Sequence, residues 1–370
     1  MAKVKRKIKS VDFFLIILTL GLVIFGIVMV FSASYYTAIN KEGDPYYYLK
    51  RDLIWAAGGL LLMWLTTVID YRFYAKTAPY IMAVSLVLLA LLFTSLGETR
   101  NNATRWLGVG DYTIMPGEIV KIAIIIFTAW YLSKDPSRIR SFTRGVLPLV
   151  SLCLVCTLMI IKQPNLSTAI TVSGIIFGMM FIAGLNIIYF IGVIGAGATV
   201  VSGLVLADQS GYWFKRITSF MNPFADHLDS GFQVVQSLLA LGSGGLFGLG
   251  LGKGIQKNLY LPEPQNDFIL AIIGEELGYI GCIILFAAYV LLIWRGIRIA
   301  LNAPDMFGSL LASGITIMLA IQVMLNIAVV TSSLPPTGIT LPFVSYGGNA
   351  LMLFMGSMGI LLSISRRSAR

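Results

Sequence analysis

The sequence predicts an all-α polytopic membrane protein with about ten transmembrane helices, both termini cytoplasmic, and a large extracellular loop between helices 7 and 8. Three observations lead to this fold class. Of the 370 residues, 57% are hydrophobic and only 12% are charged, against about 25% charged residues in ordinary soluble domains. The mean hydropathy is +0.84. The apolar runs are continuous over about 20 residues rather than alternating, which favours helices over barrel strands.

Each predicted helix is an apolar run that ends at charged, polar, glycine or proline residues. The first run follows the basic segment Lys3 to Lys9 and is too long for the core of a signal peptide, so we interpret it as an uncleaved helix. No soluble domain, linker or repeat divides the chain, which predicts one membrane domain over residues 1–370. The predicted helices lie near residues 12–33, 52–69, 77–96, 116–132, 143–161, 166–183, 187–206, 267–293, 306–330 and 343–364.

The distribution of charges predicts the orientation. Ten spans place both termini on one side, and 16 of the 27 Lys and Arg residues lie in segments on that side, whereas 13 of the 17 acids lie on the other. Cytoplasmic loops are enriched in Lys and Arg, so the termini are predicted to be cytoplasmic. The outer side holds two long connections, 97–115 and 207–266, and the second carries a predicted surface helix around Phe232 to Leu239.

Several function classes are excluded by what the sequence holds. The basic residues are scattered at helix ends and form no basic face with aromatic residues, so nucleic-acid binding is not expected. A single histidine, His227, excludes most Ser-His-Asp and multi-His metal sites. Cys153 and Cys156 lie in an apolar run without further metal ligands. The glycine tract from Gly242 to Gly254 has Phe247 where a P-loop requires glycine. Carboxylates, lysines and arginines remain as candidates for chemistry.

Asp267 ends the densest polar group at a predicted membrane boundary. This group begins at Glu263 and leads into the apolar run of the eighth helix. At 100° per residue, Gly274, Gly278 and Gly281 fall within about 40° of Asp267, which predicts a glycine-lined groove below it. The Asp267 carboxylate could act as a general base or cap the helix N-terminus, and the residues alone leave both roles open.

Other charged residues near the helix ends predict ion pairs and an anion site. Glu118 and Lys121 stand three residues apart, the spacing of an ion pair within a helix. Glu275 and Glu276 lie deeper in the eighth helix, where acids usually have partners, so structural pairing is favoured over catalysis. Positive charge on the same side is supplied by Arg105, Lys162, Lys215 and Arg216. Several of these converging on one outer cavity would suit an anionic group such as a pyrophosphate.

The last outer connection, Leu334 to Gly348, contains three prolines and a Gly-Gly pair. Such a segment predicts a rigid loop that re-enters the bilayer, which irregular backbone does only where it packs in protein or lines a cavity. Gln322 and Asn326 lie one turn apart on the preceding helix and could satisfy the backbone of this loop.

Short motifs that occur in order along nearly the whole chain give a family resemblance. They are Arg105-Trp106, Pro116-x-Glu118-x-x-Lys121, Gln163-Pro164-x-Leu166, Gln236-Ser237, Gly242-x-Gly244-Gly245, Leu261-Pro262-Glu263, Asp267-Phe268, Glu275-Glu276-x-Gly278, Leu334-Pro335-x-x-Gly338 and Leu341-Pro342-Phe343-x-Ser345-Tyr346-Gly347-Gly348. This pattern resembles the SEDS family of shape, elongation, division and sporulation proteins, which includes RodA, FtsW and SpoVE. The long loop before the eighth helix looks more like the division and sporulation branch.

The resemblance implies a bacterial peptidoglycan glycosyltransferase that polymerises lipid II at the outer face of the cytoplasmic (inner) membrane. It implies a class B penicillin-binding protein as partner, together with other divisome or elongasome membrane proteins. By the same resemblance Asp267 is the catalytic residue, and Glu118 and Lys121 form a structural ion pair beside the substrate cavity. The candidate substrate-binding residues are Arg105, Lys162, Gln163, Arg216, Gln236 and Ser345, with Glu275 and Glu276 as supporting acids.

The chain departs from the usual family pattern beside these motifs. Met115 and Gly117 stand in place of Gln and Ser, Asn165 and Ser167 in place of Asp and Gly, and Asn266 in place of Thr. The losses of Gln and Asp remove polar groups near the expected cavity, so the contacts there stay open.

The mechanistic hypothesis is that Asp267 takes the proton from the 4-hydroxyl of the acceptor GlcNAc. The acceptor oxygen then attacks the anomeric carbon of the donor glycan and expels undecaprenyl pyrophosphate. Arg105, Lys162 and Arg216, or a divalent cation (Mg²⁺ or Mn²⁺) near Asp267, would supply positive charge, and no organic cofactor is expected. The alternative function is a lipid II flippase or other transporter, which should bind substrate at the midplane between repeats. A noncatalytic scaffold is a third hypothesis.

Overall fold

The computed structural model describes residues 11–100, 103–109, 112–189, 191–192, 195, 203, 220 and 231–368. Most of these residues are helical. The helices are α1 (Phe13–Glu42), α2 (Tyr47–Val68), α3 (Arg72–Leu91), α4 (Pro116–Lys134), α5 (Leu147–Ile161), α6 (Leu166–Ile182), α7 (Phe232–Ser243), α8 (Ile269–Leu301), α9 (Met306–Val330) and α10 (Gly348–Ser365). Short 3₁₀ and π turns, Pro136–Arg140 and Phe142–Val146, connect α4 to α5. The predicted helix 187–206 and the loop 207–230, with Arg216 and His227, lie largely outside the described residues.

Seven helices among the described residues are long and apolar enough to cross a membrane. They are α1, α3, α4, α5 with the turn that precedes it, α8, α9 and α10. Helix α6 is shorter, with 17 residues, and α7 has 12. The prediction of a mostly helical, multi-pass membrane protein is confirmed. The count of ten spans and the cytoplasmic location of the termini stay predictions.

Both ends of the described chain lie at one end of the helix bundle, here called the terminal face. Asp12, just before α1, forms an ion pair with Arg295 near the end of α8, with 2.7 Å between Oδ2 and Nε. Arg367, just after α10, pairs with Asp70 between α2 and α3 at 3.1 Å. The opposite end, where α4, α6 and α8 begin, is called the site face.

The connection between α3 and α4 forms a small antiparallel sheet, which the all-α prediction missed. Strands β1 (Gly97–Arg100), β2 (Ala103–Val109) and β3 (Tyr112–Ile114) pair in the order β1-β2-β3. Threonine, aromatic and branched residues recur through this segment, and they favour strands. The hydropathy pattern detects apolar spans of about 20 residues. These strands are much shorter, so the pattern predicted a loop in this segment.

Helix α9 is the central helix of the bundle and packs against α4, α6, α8 and α10. Gly314 of α9 leaves room for the side chains of Ile125 of α4 and Met179 of α6, because small residues let membrane helices approach closely. Two buried polar side chains, Gln322 and Asn326, lie further along α9 towards the site face. Helix α9 therefore carries polar groups into the interior just below that face.

Helix α8 is broken at Gly278, whose φ of 69° and ψ of −170° suit glycine and few other residues. The break frees backbone groups that a continuous helix would use internally. The glycine tract that follows α7 binds them. Leu249 and Gly250 donate their N–H groups to the carbonyls of Glu275 and Glu276, and Tyr279 and Ile280 donate theirs to the carbonyls of Gly245 and Leu246.

The predicted glycine-lined groove below Asp267 is wrong. A methyl group on Gly278 would overlap the backbone of Leu246 and Gly248, and one on Gly274 would strike the Leu241 side chain. These glycines let the tract pack directly against α8. The prediction assumed one continuous helix from Asp267, whereas α8 begins two residues later and breaks at Gly278.

Candidate active site

Asp267 lies at the site face, in the loop that leads into α8. The helix has Phe268 at its N-cap position and no side-chain cap, so the N-cap role that the sequence left open is wrong. The Asn266 amide is used elsewhere, because its Nδ2 donates to Glu263 Oε2 at 3.1 Å. The Asp267 side chain is half-buried. Its carboxylate is therefore partly accessible, as the general base role requires.

Gly338 borders both Asp267 and Arg105. A methyl group built on Gly338 would lie 3.4 Å from Asp267 Oδ2 and 3.8 Å from Arg105 Nη1. The two charged side chains thus border the same glycine, although they lie far apart in sequence. Gly338 has a φ of +74°, which favours glycine, and a glycine there leaves open the space that a side chain would fill.

Arg105 is directed towards Gly338 by a β-bulge. Glu98 pairs with Trp106 and Thr99 pairs with Thr104, so Arg105 is the extra residue of β2. Bulges turn a side chain away from the regular alternation of a strand and occur often beside active sites. No sequence pattern marked this bulge.

The guanidinium of Arg105 also contacts the turn between α5 and α6. Its Nε donates to the Gln163 carbonyl at 3.4 Å, and its Nη2 donates to the Pro164 carbonyl. Lys162, in the same turn, is exposed, whereas the Gln163 side chain is 3% exposed. Of the three predicted binding residues in this area, Arg105 is the one that the structure brings next to Asp267.

The loop between α9 and α10 enters the bundle, as its prolines predicted. The backbone of Phe343 and Val344 packs against Gly26 in the middle of α1, and the Tyr289 hydroxyl of α8 donates to the Pro342 carbonyl at 2.5 Å. Protein therefore surrounds this irregular backbone, which is the condition for its tolerance at membrane depth.

Ser345 has a place inside this loop that differs from the predicted binding role. Its side chain is 5% exposed, and its Oγ accepts the N–H of Leu341 at 2.8 Å. The next residue, Tyr346, donates its N–H to the Gln265 carbonyl at 2.9 Å, which joins the loop to the segment before Asp267.

Glu263 organises the polar segment just before Asp267. Its Oε2 accepts hydrogen bonds from the side-chain amides of Gln265 at 3.0 Å and Asn266 at 3.1 Å. Its Oε1 lies 2.7 Å from Nζ of Lys41, at the end of α1. The segment that holds Asp267 is thereby tied to α1 as well as to the α9–α10 loop.

Glu118 and Lys121 form an ion pair in the first turns of α4. Lys121 Nζ lies 2.7 Å from Glu118 Oε2, and both side chains are nearly fully buried. The ammonium group also lies 5.8 Å from the centre of the Phe354 ring of α10. A pair so enclosed is suited to join α4 to α10 rather than to react with a substrate.

Glu275 and Glu276 are buried deeper along α8, and their carboxylates accept hydrogen bonds from several donors of the protein. Glu275 accepts the N–H groups of Ile255 and Gln256. Glu276 accepts from the Ser32 hydroxyl at 2.8 Å, the Gly252 N–H at 3.0 Å and Lys257 Nζ at 2.6 Å. The carboxylates therefore hold the glycine tract and α1 against α8, which agrees with structural pairing.

Ser32 and Lys257 are partners that the sequence analysis missed. Lys257 is 2% exposed, and its Nζ also donates to the Ser32 hydroxyl at 2.9 Å. A lysine inside a predicted extracellular loop gave no sign of burial. The one available signal was the excess of buried acid at Glu275 and Glu276, which requires a nearby cation.

Gln236 and Arg216 are the two remaining predicted substrate-binding residues. Gln236 is half-buried on α7, where the neighbouring Ser237 hydroxyl donates to the Val330 carbonyl at 2.9 Å. Arg216 lies outside the described residues.

Two of the sequence departures have clear local roles. Asn165 caps α6, because its Oδ1 accepts the Thr168 N–H at 3.3 Å, a role that Asn and Asp perform equally well. Gly117 leaves room for Thr168, since a methyl group there would lie 3.3 Å from Thr168 Cγ2. Met115 is at the N-cap position of α4 without a side-chain cap.

A carboxylate and a guanidinium that border the same glycine can bind a polar, partly anionic substrate and remove a proton from it. No three His, Cys, Asp or Glu residues among the described ones lie together as metal ligands. The predicted metal near Asp267 stays a prediction.

The helices and this site define a multi-pass membrane protein with a candidate acid–base centre at one membrane face. Residues 13–370 match the family described as "Cell cycle protein", that of FtsW, RodA and SpoVE. The chain belongs to this family.

Relatives and solved structures agree over nearly the full length. The chain is 46% identical over 362 residues to stage V sporulation protein E of Bacillus subtilis, covering 97% of this chain and 98% of the relative. It is 40% identical to an FtsW of Trichlorobacter lovleyi that is named as a probable peptidoglycan glycosyltransferase. That match covers 99% of this chain and 96% of the relative. Among solved structures, this chain matches one from a peptidoglycan synthase complex that coordinates polymerization and crosslinking. The TM-score is 0.80 at 26% identity, and the match covers 98% of this chain and 99% of the other. The rod shape determining protein RodA of Thermus thermophilus matches with a TM-score of 0.72 and 26% identity, and the match covers 98% of this chain and 98% of RodA.

Proposed function

We propose that this protein is a peptidoglycan glycosyltransferase that polymerises lipid II at the outer face of the bacterial cytoplasmic membrane. Two lines of support converge on this activity. The relatives named above include a probable peptidoglycan glycosyltransferase at 40% identity. The observation that carries the proposal is the pair of charged side chains, Asp267 and Arg105, that border Gly338 at one membrane face.

In this proposal Asp267 acts as the general base. Its carboxylate accepts the proton of the acceptor sugar's 4-hydroxyl as that oxygen attacks the anomeric carbon of the donor. The bond from the anomeric carbon to the pyrophosphate oxygen breaks, and undecaprenyl pyrophosphate leaves. A single displacement of this kind inverts the anomeric configuration. A positioned base of this type contributes about 10²–10⁴-fold to a rate.

Arg105 stabilises the negative charge on the leaving pyrophosphate. A guanidinium binds phosphate oxygens with two parallel hydrogen bonds and cannot lose its proton at physiological pH. Two backbone carbonyls, those of Gln163 and Pro164, already fix part of this guanidinium. Its position beside Gly338 is therefore set before substrate arrives, which is the arrangement that electrostatic catalysis requires.

The Glu118–Lys121 pair and the Glu275–Glu276 network support the site without reacting. Their charges are enclosed by protein partners, whereas a substrate needs access from the membrane face. We assign the site face to the outside of the cell, which places the terminal face in the cytoplasm, because lipid II is polymerised where the cell wall is built.

We also propose a crosslinking partner, a class B penicillin-binding protein, alongside other divisome or elongasome membrane proteins. Support comes from the peptidoglycan synthase complex whose chain matches this one with a TM-score of 0.80. The 46% identity to a stage V sporulation protein favours use in sporulation or cell division.

The test is polymerisation of purified lipid II by the protein together with its penicillin-binding partner, with products separated by gel electrophoresis. We expect glycan strands from the wild type and a loss of about 10²–10⁴-fold for Asp267→Asn. The matched control is Asp44→Asn, which removes a carboxylate that pairs with Lys50 and accepts the Tyr46 N–H just after α1. This control should keep wild-type activity.

Two outcomes would contradict the proposal. Wild-type rates in Asp267→Asn would remove the proposed base. Movement of lipid II across proteoliposomes by a protein that forms no polymer would favour the flippase alternative instead.

A further inference from the structure

The peptide units on both sides of Gly338 are held by side chains from two different helices. The carbonyl before this glycine, that of Thr337, accepts the Ser167 hydroxyl of α6 at 2.8 Å. The carbonyl after it, that of Ile339, accepts Asn326 Nδ2 of α9 at 2.8 Å. The glycine is thus fixed on either side, while the position that its Cβ would take borders Asp267 and Arg105.

Asn326 also holds the backbone of Asp267 itself. The same Nδ2 donates to the Asp267 carbonyl at 3.0 Å. A side-chain amide nitrogen has two hydrogens, so both are used, one for Asp267 and one for Ile339. Because both acceptors are carbonyl oxygens, the amide can lie only with its nitrogen towards them. Asn326 is fully buried, and its position is therefore fixed by α9.

These bonds connect the two halves of the proposed active site. Asp267 belongs to the segment before α8, and Gly338 belongs to the loop between α9 and α10. Within the described residues, Asn326 makes a direct bridge between the two segments. A shift of either segment would change the separation between the Asp267 carboxylate and the space above Gly338.

We propose that Asn326 and Ser167 are positioning residues, which hold the Gly338 peptide units so that the Asp267 carboxylate and the Arg105 guanidinium face one substrate position. This inference rests on the proposed function. Neither residue touches the reacting atoms. Both act through backbone carbonyls, and Asn326 has the larger effect because it fixes Asp267 as well as the loop.

The experiment measures kcat and the apparent KM for lipid II in the complex with the penicillin-binding partner, for Asn326→Ala and Ser167→Ala. Misplacement by about 1 Å can cost about 100-fold in rate, so Asn326→Ala should lower kcat by about 10- to 100-fold. Ser167→Ala loses one hydrogen bond and should lower kcat about fivefold. The apparent KM should stay within about twofold in both, because lost transition-state positioning appears in kcat.

Gln322→Ala is the matched control for general destabilisation. Gln322 lies one turn from Asn326 on α9 and is equally buried. Melting temperatures are measured for all variants. We expect Gln322→Ala to keep its kcat within about twofold, even where its melting temperature falls as far as that of Asn326→Ala.

The result that overturns the proposal is a wild-type kcat in Ser167→Ala and Asn326→Ala, or an equal loss in Gln322→Ala at equal melting temperature. If Asn326→Ala does not fold, Ser167→Ala decides, since one lost hydrogen bond is too small a change to prevent folding. Failure of the proposed function is distinguishable, because it would appear as full activity in Asp267→Asn whatever the positioning variants do.

Discussion

Asp267 and Glu276 are two acids of the same stretch of chain with opposite surroundings. Glu276 is fully buried, and a lysine, a hydroxyl and a backbone N–H surround its carboxylate. Asp267 is half-buried, and its carboxylate borders Gly338. The backbone of Asp267 is held by Asn326, while its side chain stays partly accessible.

This difference shows how a structural acid can be distinguished from a reactive acid in a membrane protein. Burial of a charge is tolerated where several donors enclose it. An acid that must exchange a proton with a substrate needs a fixed backbone and an accessible carboxylate. Sequence position alone does not separate the two, because both acids lie within the first ten residues of one predicted helix near a membrane boundary.

The largest expected effect on stability comes from Lys257→Met. The variant leaves the Glu276 carboxylate buried without its cation, which costs about 3–5 kcal/mol when one partner of a buried pair is removed. Thermal unfolding in detergent should show a clear fall in melting temperature. The double variant Lys257→Met with Glu276→Gln should recover much of it, since it leaves no buried charge. A single variant as stable as the wild type would show that the pair is not needed.

Gly338→Ala tests the surroundings of the Asp267 carboxylate. The backbone at Gly338 has a positive φ that alanine adopts poorly, and the added methyl would contact Asp267 Oδ2 and Arg105 Nη1, so relief of the backbone strain would shift both groups. We expect polymerisation to fall by about 100-fold, as for other small misplacements of reacting groups. The measurement is the rate of glycan formation per folded molecule. Rates close to those of Gly43→Ala, a control glycine that also has a positive φ but lies at the end of α1, would contradict the account.

Ser32→Ala removes the hydroxyl that lies between Lys257 and Glu276 while it leaves both charges. A hydrogen bond to a charged group contributes about 2 kcal/mol, so the fall in stability should be smaller than that of Lys257→Met. Melting temperatures of the two variants in one detergent check this order. The reverse order would mean that the hydroxyl, and not the ion pair, holds α1 against α8.

The smallest effect is expected from Lys41→Gln. Lys41 and Glu263 are 52% and 37% exposed, and exposed ion pairs contribute about 0–1 kcal/mol. The free energy of unfolding should therefore fall by no more than about 1 kcal/mol. Because Glu263 keeps its two amide donors, the position of Asp267 and the polymerisation rate should also change little. A loss of activity comparable to that of Asp267→Asn would show that this rim pair belongs to the active site.

The sequence predicted the elements that depend on local patterns. Apolar runs gave the membrane helices, the spacing of Glu118 and Lys121 gave their ion pair, and the prolines near Pro342 gave the entering loop. These features depend on neighbouring residues, which the sequence displays directly.

The sequence could not predict contacts between distant segments. Ser32 of α1 and Lys257 of the segment between α7 and α8 both bind Glu276 of α8. No local sequence pattern indicates a contact between segments so far apart. The break at Gly278 also has no local sign, because isolated glycines occur in ordinary membrane helices. The bulge at Arg105 depends on the register of β1 and β2, which strands of four and seven residues specify weakly.

The most direct test of the account measures Asp267→Asn and Glu276→Gln side by side, each for its melting temperature and its polymerisation rate per folded molecule. The account predicts that Asp267→Asn melts as the wild type does and loses about 10²–10⁴-fold in rate. It predicts that Glu276→Gln melts at a lower temperature and still polymerises lipid II. Normal polymerisation by Asp267→Asn, or an inactive Glu276→Gln with an unchanged melting temperature, would contradict it.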